Sequence, residues 1–146
     1  MDQPTELADL AQLILSVARE IRFRGYDDPE AVSLNPSEAK VMLFIDTHPG
    51  ATPSAVAEAT GLQRSNLSTA LRELEARGFV ERRIDPHDRR GVNLFPTPRA
   101  LRNLELVQRE WTQTLTAGLG DDHRDVDAAT RLLTRLEAGL VATRRR

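Results

Sequence analysis

The sequence predicts a mainly α-helical chain with one small β-hairpin wing: a winged helix-turn-helix flanked by N- and C-terminal helices. Three observations predict it. The stretch Arg64–Arg90, RSNLSTALRELEARGFVERRIDPHDRR, runs from amphipathic helix through a glycine stop and a basic strand into an arginine-rich turn. A shorter helix precedes it across Gly61-Leu62-Gln63, the order of a helix-turn-helix. Near both ends of the chain, apolar residues recur every three to four positions, the spacing of a helical stripe.

Each element has its own signals. Leu7, Leu10, Ile14, Val17 and Ile21 mark a first helix over residues 5–24, ended by Gly25 and the polar run Tyr26-Asp27-Asp28-Pro29. Asn35 as N-cap, Pro36 at N1 and Glu38 at N3 open a second helix, which stops at His48-Pro49-Gly50. Thr52-Pro53 starts a short third helix closed by Gly61. The fourth runs from Arg64 to Arg77 with Leu67, Leu71 and Leu74 on one face and Gly78 after it. Strands are expected over Phe79–Ile84 and Val92–Phe95, joined by the turn formers DPHDRRG. A fifth helix follows Thr97-Pro98 to about Leu119. After the GLGDDHRD break, Val126, Ala129, Leu133, Leu136 and Leu140 mark a sixth.

Composition excludes several classes. With no cysteine, disulfides, thiolate nucleophiles, thiolate zinc sites and thiol redox sensing are ruled out for this sequence. The N-terminus has no basic or apolar leader character, and no apolar run approaches a membrane span, so a cytoplasmic protein with no membrane partner is expected. His48, His87 and His123 are scattered without ligand-like spacing, so neither a metal nor a cofactor is expected. No Ser/His/Asp arrangement, glycine-rich phosphate loop or carboxylate pair appears, so no catalytic residue is assigned and an enzyme is not expected.

The formal net charge of −2 conceals a strong asymmetry. Residues 1–63 carry −6, residues 64–102 carry +4, and residues 103–146 are neutral. One positive segment between acidic and neutral flanks is the footprint of a polyanion-binding site. Arginine supplies it almost alone, since Lys40 is the only lysine, and planar guanidinium suits phosphate and base edges.

With the three leucines inward, Arg64, Ser65, Asn66, Ser68, Thr69, Arg72 and Glu73 are left on or near the outer face of the fourth helix, and all but Glu73 are candidate DNA contacts. Recognition helices read bases chiefly with N-terminal residues of this kind. Asn66 matches adenine N6 and N7, and Arg72 matches guanine O6 and N7 or a phosphate. In the hairpin, Arg82, Asp88, Arg89 and Arg90 form a basic wing, with Asp88 placed to orient a guanidinium toward a narrow minor groove. Double-stranded DNA is therefore the expected partner. A winged-helix module that binds protein instead is the alternative, but it would present an apolar recognition face.

On LNPSEAKVMLFI, LSTALRELEARGFVERR and DPHDRR with GVNLFP, the chain resembles the MarR family of bacterial transcription regulators over essentially its whole length. The family's wing pattern D-P-x-D-x-R falls on Asp85, Pro86, Asp88 and Arg90, which makes Arg90 the minor-groove arginine by that match. The pattern L-E-x-x-G-x-V-x-R falls on Leu74, Glu75, Gly78, Val80 and Arg82. Two positions depart: Phe95 and Pro98 stand where the family has a threonine cap and a glycine, and Thr97-Pro98 offers a replacement helix start. The resemblance implies a homodimer, paired through residues 1–34 and 99–146 around a DNA-binding lobe at 35–98, and a repressor on a pseudo-palindromic operator. The apolar stripes of the terminal helices agree, being too large to leave in water. It also implies a small, often aromatic or phenolic effector, for which Phe23, Tyr26, Phe44 and Trp111 are the candidate lining residues.

Overall fold

The computed structural model describes residues 3–88 and 91–144. In chain order these form α1 (Gln3–Arg24), α2 (Pro36–Thr47), α3 (Pro53–Thr60), α4 (Arg64–Ala76), β1 (Val80–Ile84), β2 (Val92–Pro96), α5 (Pro98–Leu119) and α6 (Val126–Arg144). The mainly helical class and the winged arrangement read from the sequence are the ones observed. None of the described helices is long and apolar enough to cross a membrane.

The caps are where the sequence puts them. Asn35 accepts from the Glu38 amide (2.9 Å) while the Glu38 side chain accepts from the Asn35 amide (3.2 Å), a complete capping box. Thr52 and Thr97 cap α3 and α5 by accepting from Ala55 and Ala100. The Thr97 hydroxyl also donates to the Gly78 carbonyl at 2.5 Å, so the replacement helix start ties α5 to the end of α4.

The core belongs to the middle of the chain. Val41, Ile45, Val56, Leu67, Leu71, Leu74, Phe79 and Leu94 are buried together, with Ala70 filling the α4 face between the leucines. β1 and β2 pair antiparallel with Arg82 opposite Leu94 and Ile84 opposite Val92. The segment before α3 joins this sheet: the Leu94 amide donates to the Ala51 carbonyl (2.9 Å) and the Gly50 amide donates to the Leu94 carbonyl (2.8 Å). The wing is thereby stitched to the helix-turn-helix by backbone hydrogen bonds as well as by packing.

Two buried polar side chains fasten the α1–α2 connection to α5. Glu110 accepts from the amides of Asp27 and Asp28, both at 2.9 Å. Asn103 accepts from the Val32 amide (2.7 Å) and donates to its carbonyl (3.1 Å). Both groups are satisfied by backbone, as buried polar atoms must be. A third, Glu38, forms an ion pair with Arg77, whose guanidinium also lies over the Phe79 ring.

Candidate nucleic-acid interface

Burial along α4 separates its two faces. Leu67, Ala70, Leu71 and Leu74 are buried, whereas Arg64, Ser65, Asn66, Ser68, Thr69 and Arg72 are all exposed. At about 100° per residue, Ser65, Thr69 and Arg72 form the centre of the outer face. Arg64 and Ser68 lie on one flank and Asn66 on the other. The first flank opens into a cleft where Arg64 and Ser68 meet Arg82 of β1 and Ser54 of α3. Three of the residues singled out from the sequence, drawn from two elements, thus share one groove.

The start of α4 is electrostatically open. Gln63 occupies the N-cap position without making a side-chain cap hydrogen bond, and Ser65 sits in the first turn rather than at the cap. The first-turn amides and the positive end of the helix dipole remain available to an anion. Among the described residues, no ion pair engages Arg64 or Arg72. The Thr69 hydroxyl donates to the Ser65 carbonyl at 3.0 Å, which leaves it an acceptor and a methyl to present outward.

The wing is built differently. Val80, Arg82 and Ile84 share the sheet face that carries buried Leu94, so Arg82 points toward α4, where its Nε donates to Glu75 Oε1 at 2.6 Å. A guanidinium has five N–H donors, so this pair orients Arg82 without exhausting it. On the other face Arg83 lies 4.1 Å from the centroid of the Phe95 ring. At the tip, Asp85 Oδ1 accepts from the His87 amide (2.8 Å) and the Asp85 amide donates to the Gly91 carbonyl (2.9 Å). Asp85 therefore shapes the turn, and Asp88 is exposed beside it. Arg89 and Arg90 lie outside the described residues.

The four aromatic residues proposed for an effector do not converge. Tyr26 and Trp111 line one cavity between the end of α1, α2 and α5, together with Met42, Asp46 and Val107. Phe44 stacks on the His48 ring at 4.3 Å and faces a different space, between α2 and α6. Phe23 is 89% exposed and lines neither. Asp46 escaped the sequence reading. Burial pushes its carboxyl up from 3.8 to about 6, and its Oδ1 is enclosed without a hydrogen-bond partner.

Because the folded protein holds this proton more tightly than the unfolded chain, raising the pH through 6 forces a buried charge and lowers stability. Asp46→Asn should therefore raise the melting temperature at pH 7.5 and lose that advantage near pH 4. The full shift corresponds to ~3 kcal/mol; partial solvent access reduces the expected gain at pH 7.5 to about 1–2 kcal/mol. A variant whose stability follows the wild-type pH profile would contradict this account of Asp46.

A helix-turn-helix that turns an arginine-bearing polar face outward beside an antiparallel wing defines a winged-helix DNA-binding regulator. The comparisons agree. Residues 32–91 match the sequence model of the MarR family. A putative transcriptional regulatory protein for hcr operon of Thauera aromatica is 32% identical over 87 residues, 58% of this chain and about half (52%) of that protein. A crystal structure of MarR superposes with a TM-score of 0.66 at 26% identity, covering 93% of this chain and 98% of that one. Mutant E. coli MarR complexed with operator DNA has the same fold, with a TM-score of 0.66 at 24% identity over 93% of this chain and 99% of that one. Over residues 32–91 the chain matches the MarR family, and as a whole it has the DNA-binding winged-helix fold of that family's transcription regulators.

Proposed function

We propose that the protein acts as a homodimeric repressor on a pseudo-palindromic operator. In this reading α4 enters the major groove and the wing follows the neighbouring backbone and minor groove. The carrying observation is the exposed α4 face, with Arg64 and Arg72 unengaged within the described residues and Arg82 beside them in one cleft. Ser65, Thr69 and Arg72 would meet base edges at the centre. Asn66, Arg64, Ser68 and Arg82 would serve at the flanks, and Asp88, Arg89 and Arg90 would act at the wing tip. An uncharged, apolar face would have favoured a protein partner instead. Repression needs nothing more than occupancy of the operator.

Dimerisation is supported by area. The chain exposes 11038 Å², whereas a compact monomer of its mass exposes about 7,500 Å². Homodimer interfaces bury on the order of 2,000–5,000 Å² shared between the two chains, so a partner copy would cover a large part of the excess. The excess is concentrated in the arms: α6 has no buried residue, and Leu7, Leu13, Leu15, Leu115, Leu133 and Leu140 are all exposed. Residues 1–34 and 99–146 would form the dimer body and 35–98 the lobe. A small aromatic or phenolic effector in the Tyr26–Trp111 cavity, between body and lobe, would favour a lobe spacing that no longer fits successive grooves.

The test is fluorescence anisotropy on a duplex from the gene's own upstream region against a scrambled duplex, at two salt concentrations. Selective binding with a log–log salt slope of about 0.9 per phosphate contact is expected. Equally weak binding to both duplexes, and to every duplex recovered by random-sequence selection, would leave the protein-interaction alternative.

A further inference from the structure

We propose that Arg144 is a positioning residue that pins the end of α6 to the turn of the helix-turn-helix, so that the dimer arm fixes the bearing of the recognition helix. Its Nη1 donates to the Thr60 carbonyl at 2.9 Å and its Nη2 donates to the Ala59 carbonyl at 3.2 Å, across more than eighty residues of sequence. These are terminal carbonyls of α3, which lack partners within the helix. The Gly61 amide serves the Ala57 carbonyl at 3.0 Å. A planar guanidinium meets two successive carbonyls with two separate nitrogens held in a fixed fork, which the single nitrogen of an ammonium does not offer, and its charge faces the negative end of the α3 dipole.

The surroundings make this contact decisive. α6 buries no residue, and a space of about 820 Å³ separates it from α2 and α3, so packing along its length does not set its position over the lobe. The turn itself is built around the same carbonyl-bearing residue. Buried Thr60 donates its hydroxyl to the Val56 carbonyl (2.7 Å) and accepts from the Leu62 amide (3.4 Å), and α4 begins two residues later. Gly61 leaves room for the arginine: at φ +68° it is in the left-handed region, and a Cβ there would meet the guanidinium at 2.6–2.7 Å. A tie at this point transmits the direction of the arm to α4 through one tight turn.

This inference rests on the DNA-binding reading, and its test separates the two. Arg144→Ala and Arg144→Lys would be compared with the wild type on operators of native half-site spacing and on operators lengthened or shortened by one base pair. Arg144→Ala should bind the native operator about five- to tenfold more weakly, the effect of losing a pair of charge-assisted hydrogen bonds at a partly exposed site. Its discrimination between spacings should flatten, while non-specific duplex affinity stays close to wild type and the melting temperature falls by only a few degrees. Arg144→Lys, which keeps the charge but offers one nitrogen in place of a fixed fork, should fall between. In the absence of DNA, hydrogen exchange at residues 61–66 should quicken in Arg144→Ala. Unchanged spacing discrimination together with unchanged exchange would overturn the proposal. If the wild type itself shows no selective duplex binding, the DNA reading fails instead, and the exchange rates still decide whether Arg144 holds the turn.

Discussion

Replacing Arg64 and Arg72 together by alanine should weaken operator binding by roughly 10²–10³-fold while leaving the fold intact. Each arginine contact to a base edge or phosphate contributes about 1–3 kcal/mol, and two removed contacts lower the salt slope by about 1.8. The stability side of the argument is equally specific. Both side chains are exposed and unpaired among the described residues, so their loss should shift stability by no more than about 0.5 kcal/mol. Arg77→Ala is the control that distinguishes the two kinds of arginine. It strands the buried Glu38 carboxylate and uncovers Phe79, so it should cost about 3 kcal/mol of stability and affect all duplexes alike. Anisotropy across a salt series, with melting curves on the same samples, reads out both effects. If the double variant keeps its affinity and salt slope, α4 is not the recognition helix.

The residues legible in the sequence share one property: their signal is local. The capping box at Asn35 and Glu38, the threonine caps and the leucine spacing of α4 each lie within a turn or two of chain, and each appears as read. What escaped depends on partners far away. The Ala51–Leu94 bridge, Glu110 holding residues 27 and 28, and Arg144 on α3 join segments more than forty residues apart. Glu110 and Asn103 did leave a trace. With Ala100 and Val107 they fall at i, i+3, i+7 and i+10 of α5, so two polar residues interrupt its buried stripe. A carboxylate and an amide on a core-facing stripe imply buried backbone partners, although not which ones. The aromatic candidates failed to converge for the same reason. Periodicity assigns Phe23, Tyr26, Phe44 and Trp111 to helix faces, but only the packing of α1 and α5 against α2 decides which faces meet.

The arms yield the other large effect. Leu7→Glu combined with Leu133→Glu should convert the protein to a monomer at micromolar concentration and reduce operator binding to the non-specific level. Both leucines belong to the terminal-helix stripes, at 64% and 44% exposure in the single chain, and neither is part of the core between Val41 and Ala100. Burying a leucine side chain contributes about 1.5–3 kcal/mol. Twofold symmetry removes four such side chains from one interface, so at least ~6 kcal/mol of dimer stability is lost before the cost of burying glutamate. That exceeds a ten-thousand-fold change in the dimer dissociation constant. The lobe should keep its packing, because its hydrophobic cluster draws on no residue of α1 or α6. Sedimentation equilibrium gives the assembly state, circular dichroism the helix content, and anisotropy on full and half operators the consequence for DNA. A monomeric wild type at the same concentration would refute the dimer. A variant that dissociates yet binds the full operator as tightly as the wild type would instead show that each lobe recognises its half-site alone, with no contribution from the arms.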